Sequence, residues 1–247
     1  MTRRVLAAGL VALACAGLAT AAESASQPDP AVWDAILSAR ARDGGFDYKA
    51  ADGQDKKRLA AYLANLGDAN PREMTPEERK AFYVNAYNAM AIAIVLERYP
   101  IPSIRGVDGA FQTIRKKIAG ELLTLDDVES RLRDAKDART HFAIVCAAKG
   151  SPALLPRAYR AATLSADLDA QARAFVRDTT RNVIDPAEAK LQLSEVFEWS
   201  RKEFEREAGS LGAYVSRFTP HAVGDWLRTF AKSPEFLPFD WALNQAR

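Results

Sequence analysis

From Ala81 to Leu96 the chain reads AFYVNAYNAMAIAIVL, apolar nearly all the way round a helix. A surface helix keeps a polar face, so this run predicts a central buried helix over about 76–98. Thr75-Pro76-Glu77-Glu78 supplies a capping box with proline at the first helical position, and Tyr99-Pro100 supplies the stop. Asn85 and Asn88 are the only amide side chains in the run and sit three apart on one face. Upstream, Val32, Trp33, Ile36 and Leu37 after Asp29-Pro30 predict a helix ended by Gly44-Gly45. Leu59, Tyr62, Leu63 and Leu66 predict another over about 55–66.

Downstream the elements shorten. Lys117 to Thr124 reads as a hairpin turning near Gly120, and Thr124 caps a short helix that carries Glu129. His141 to Cys146 (HFAIVC) has the length and Phe, Ile and Val content of a buried strand, followed by a Lys149-Gly150-Ser151-Pro152 turn. A helix over about 165–178, a short strand at 191–193 and a helix capped by Ser194 follow, the last with Val196, Phe197, Trp199 and Phe204. Two more helices are split by Pro220, and the apolar tail EFLPFDWALN packs back as extended chain. There is no repeat, low-complexity tract or linker. The pattern predicts an α+β fold, a predominantly helical single domain over 31–247 with a small β-sheet.

The first residues change the picture of the mature chain. Arg3 and Arg4, the apolar run Val5 to Leu18 and Ala19-Thr20-Ala21 read as a signal peptide over 1–21, followed by a flexible N-terminus over 22–30. Cys15 fits a lipoprotein cysteine less well, because Leu13 stands one place too late. The expected location is periplasmic or secreted, without a stable membrane anchor. Of 34 basic residues, Arg3 and Arg4 leave with the signal, so 32 face 32 acidic ones. That balance gives no electrostatic footprint for nucleic acid or anionic lipid. Cys146 is then alone, which rules out an intrachain disulfide.

FYVNAYNAMAIAIVLERYPIPSIR, GELLTLDDVESRLR, HFAIVCAAKGSPAL and LPFDWALN resemble, in order, the blocks of the domain-of-unknown-function 547 family. That family has no firmly established activity. The resemblance implies a relation to papain-like or transglutaminase-like cysteine hydrolase folds. By position, Asn85 and Asn88 match the family's paired Asn, Arg105 its Ser-Ile-Arg block, Glu129 its Ile-Glu-His block, and His141 and Cys146 its His-Phe-Ala and following Cys. Two positions depart: Ser130 stands where the family usually has His, and Gly150-Ser151-Pro152 where it usually has Ser-Cys-Pro.

These residues set two functional expectations. In one, the protein is a thiol-dependent hydrolase or acyltransferase acting on a peptide or amide, with Cys146 as nucleophile and His141 or Glu129 polarising it. Asn85, Asn88, Arg105 and Ser151 then bind substrate. In the other, it is a non-catalytic module binding a small molecule or peptide, the departures at Ser130 and Ser151 marking a divergent, inactive member. A structural or partner-binding envelope protein is a third reading. A cysteine nucleophile needs a base or cation to lower its pKa from about 8.5. On a regular strand His141 and Cys146 face opposite ways, roughly 16 Å apart, and cannot pair. Each residue also has a plain role: Cys146 as core packing, His141 as a satisfied histidine, Asn85 and Asn88 as core amides, Glu129 in an ion pair to Arg105 or Arg133, Ser151 as a turn residue. Two histidines and one cysteine make no zinc pattern, and no nucleotide-binding glycine motif is present, so no metal or cofactor is expected.

Overall fold

The computed structural model describes residues 28–247. The segment 1–21 expected as a signal peptide, with Cys15, and residues 22–27 lie outside the described residues. Among those described, nine α-helices and seven short strands form a predominantly helical α+β fold. No described helix is long and apolar enough to cross a membrane.

Helix α1 (Pro30–Arg40) starts where Asp29 accepts the Ala31 N–H. It ends at Arg40, before the two glycines expected to stop it. Asp43 and Gly44, both at positive φ, instead turn a minimal hairpin, β1 (Ala41–Arg42) with β2 (Gly45–Phe46). Helix α2 (Gly53–Asp68) opens on a capping box from Asp52 and stacks Tyr62 on Trp33, ring centroids 5.5 Å apart.

Helix α3 (Pro76–Leu96) carries the capping box read from Thr75 and Glu78, and every residue from Ala81 to Leu96 is buried. Val84, Met90, Ile94 and Val95 are fully enclosed; each such side chain stabilises by roughly 1.5–3 kcal/mol. The hairpin β3 (Lys116–Ile118) with β4 (Glu121–Leu123) turns at Ala119-Gly120, both at positive φ. Thr124 then caps α4 (Leu125–Asp134), which packs on α3.

The segment expected as a strand is not one. Ala138–Phe142 is a short 3-10 helix, and Ala143 to Ala147 is irregular. The cause lies in α3. Asn88 takes the Val145 N–H at 2.8 Å and donates to the Ala143 carbonyl at 3.0 Å, using backbone groups that a ladder would need. Ala147, at φ +59°, cannot continue a strand.

Helix α5 (Leu164–Arg177) leads to a three-stranded sheet in which β6 (Lys190–Ser194) lies antiparallel to β5 (Val183–Asp185) and parallel to β7 (Glu235–Leu237). The tail thus contributes a paired strand, where the sequence suggested only extended chain. The helix expected to run from Ser194 past Phe204 is broken: α6 (Glu195–Trp199) ends and α7 (Arg201–Ala208) begins at Ser200. Helices α8 (Leu211–Ser216) and α9 (His221–Thr229) complete the order.

Two hydrophobic cores result. One surrounds α3; the other is aromatic, with Phe142 ringed by Phe175, Phe197 and Phe204 at 5.2–5.7 Å. Cys146 and Trp241 pack against both.

Candidate functional site

At the seam lies a cavity of about 70 Å³, bordered by His141, Cys146, Ser151, Ser200 and the exposed Trp199, among others. That volume holds about two waters, so it admits a reacting group rather than a whole substrate. A larger cavity of about 720 Å³ opens across the Lys149–Pro152 turn, and Ser151 and Phe239 line both. The larger space has room for a ligand; the smaller one gathers the imidazole, thiol and hydroxyl groups.

The structure brings His141, Cys146, Ser151 and Glu129 to the small cavity. With no regular strand between them, the strand geometry that separated His141 from Cys146 does not apply. Yet they do not bond: the ring of His141 pairs elsewhere. Cys146 Sγ lies 3.2 Å from Ser151 Oγ, which also accepts the Cys146 N–H at 3.2 Å. Cys146 touches the cavity but is crowded by protein, and burial pushes its thiol up to about 11. The Ser151 hydrogen bond opposes that rise and Glu129 adds to it. Tyr87, on the same wall, is held well above the usual phenol value by burial first and then by Cys146 and Glu129.

The Ser151 turn is fixed by the tail. Lys149 and Gly150 donate their N–H groups to the carbonyls of Ala242 and Asp240, each at 2.8 Å. A Cβ at Gly150 would come within 2.8 Å of the Phe239 ring, so only glycine lets the tail lie this close.

On the opposite wall, His141 Nε2 is 2.8 Å from Glu203 Oε2, and its Nδ1 is 3.3 Å from Ser200 Oγ. His141 is only 5% exposed. Burial alone would raise the Glu203 carboxyl; the His141 hydrogen bond, with the charges of Arg133 and Arg206, outweighs it and holds the group below its ordinary value. An ionised Glu203 only accepts, so His141 donates Nε2–H and, in the neutral ring, Nδ1 is left to accept from Ser200. Glu129 is second to Glu203 here: its Oε1 is 3.9 Å from Nδ1 and accepts from Arg133 at 2.7 Å.

Of the four residues expected to bind substrate, Ser151 borders both cavities, and Asn85, Asn88 and Arg105 border neither. Asn85 exchanges two hydrogen bonds with the Tyr159 backbone, at 2.8 and 2.9 Å, as Asn88 does with Ala143 and Val145. Both amides are buried and fasten loops to α3. Arg105 stacks over Trp241 at 5.1 Å and does not border the small cavity. Ser200 and Glu203 escape sequence reading because they follow His141 by some sixty residues. Their one signal is local: two polar residues three apart interrupt the buried face of Val196, Phe197 and Phe204.

No curated protein and no solved structure matches the chain. A family model does, over residues 71–176. That span contains Asn85, Asn88, Arg105, Glu129, His141, Cys146 and Ser151, and excludes Ser200 and Glu203. Residues 71 to 176 match the model of the family described as "Protein of unknown function, DUF547".

Proposed function

We propose that the protein is an exported hydrolase or acyltransferase acting on a peptide or amide, with His141 as its proton carrier. The observation that carries this reading is the 2.8 Å bond from His141 to Glu203 at a cavity also lined by a thiol and two serine hydroxyls. A histidine oriented by a carboxylate is the usual means of moving a proton to and from a leaving group. Export rests on the sequence of residues 1–21. The test is turnover of short peptide amides and their activated esters by the folded chain and by His141→Asn. Turnover that drops at least about 100-fold in the variant supports the reading. Turnover unaffected by His141→Asn, or none on any amide or ester, removes it.

A non-catalytic binding module is the second reading. It is favoured by the Cys146 thiol, raised to about 11 and bonded to Ser151 rather than to a base. Thermal-shift measurements against small peptides and amino-acid derivatives test it: a stabilising ligand that is never turned over supports this reading.

A further inference from the structure

We propose that Ser200 is the nucleophile of the small cavity, activated by His141 with Glu203 as the positioning residue behind it. The inference rests on the acyl-transfer reading and supplies its attacking group. Three hydrogen-bonding partners stand in line: Ser200 Oγ, His141 Nδ1 at 3.3 Å, and Glu203 Oε2 at 2.8 Å from the far ring nitrogen. Ser200 is also the N-cap of α7, a position where serine normally turns its hydroxyl onto the backbone N–H groups of the first turn. Here it makes no such bond. The hydroxyl faces the imidazole instead, and the break between α6 and α7 aims it there. Neither alternative nucleophile has a base. Cys146 Sγ and Ser151 Oγ bond to each other, and burial holds the thiol protonated.

The reaction runs through an ester. Ser200 Oγ adds to the substrate carbonyl carbon as its proton passes to His141 Nδ1, while His141 keeps its Nε2–H, still donated to Glu203, whose carboxylate faces the imidazolium. The adduct collapses, the bond to the leaving amine or alcohol breaks, and that group takes the proton from Nδ1. Water, or an acceptor amine or alcohol, then gives a proton to Nδ1 and attacks the Ser200 ester. The acyl group departs, and the proton returns to Ser200 Oγ.

A fluorophosphonate tests this, because it phosphonylates an activated serine with loss of fluoride. The folded chain is treated, digested and mapped by mass spectrometry. The expected label is one phosphonyl group on Ser200, formed at least about 100-fold faster than in His141→Gln and absent from unfolded protein. Glu203→Gln slows labelling while preserving its site. Since a change at buried His141 risks the fold, Ser200→Cys gives a second readout. Its new thiol is expected to alkylate with a pH midpoint below the ordinary 8.5, distinct from that of Cys146. No label on the folded chain, label on Ser151, or labelling indifferent to both His141→Gln and Glu203→Gln overturns the proposal. If Cys146 alkylation instead depends on His141, Ser200 is dismissed and the acyl-transfer reading stands on the thiol. If neither probe senses His141, both fail.

Discussion

The cavity's two walls hold a thiol and a hydroxyl under opposite conditions. On one, Cys146 is bonded to Ser151 and pushed away from ionisation by burial. On the other, Ser200 faces a histidine backed by an ionised carboxylate. Intrinsically the thiol is the better nucleophile. The environment reverses that order, because a group reacts through the charge its surroundings tolerate. The walls also have different supports: the first hangs from α3 and the tail, the second from the α6–α7 break against the aromatic core.

The strongest way to break the contrast is Asn88→Ala. It leaves the Ala143 carbonyl and the Val145 N–H buried without partners, at a cost of about 3 kcal/mol. Urea denaturation should show that loss, and the Cys146 segment should loosen while the α6–α7 wall keeps its own contacts. The next test reads the thiol wall alone. With the thiol pushed up to about 11 against an ordinary value of about 8.5, iodoacetamide at pH 8 should modify folded protein about 200-fold more slowly than unfolded protein. Equal rates would erase the difference between the walls.

Glu203→Gln sharpens the other side. Because folding lowers the Glu203 pKa, its stabilising effect is full above the unfolded carboxylate value of about 4.3 and fades as pH falls through the lower folded value. The variant should therefore lose about 2 kcal/mol near pH 7 and converge with the parent in acid. A deficit constant from pH 7 to pH 3 would contradict the pairing. The smallest effect is expected from Ser151→Ala, about 1 kcal/mol. It also removes a hydrogen bond that lowers the Cys146 pKa, so alkylation of the folded chain should slow further. Faster alkylation would mean that Ser151 shields the thiol.

The walls differ in legibility too. Thr75, Glu78 and the unbroken apolar run announce α3 because cap and periodicity are local properties. Cys146, Ser151, His141 and Glu129 lie in blocks whose order is visible along the chain. The strand reading of HFAIVC failed because hydrophobic content is shared by strands and by any buried segment, and Asn88 decided between them from another element. Ser200 was hidden by a helix pattern that runs across the break. What turns it toward the cavity is a tertiary contact, and residue spacing carries no record of it.

The tail's hold on the Ser151 turn sets an order of events during synthesis. Asp240 and Ala242, whose carbonyls fix Lys149 and Gly150, emerge about ninety residues later, a delay of several seconds at roughly 5–20 residues per second. Until they arrive the nascent chain has Cys146 but not the packing that quiets it. For that interval the thiol keeps its ordinary acidity, and the newborn protein is more open to oxidation and alkylation at this position than the finished one.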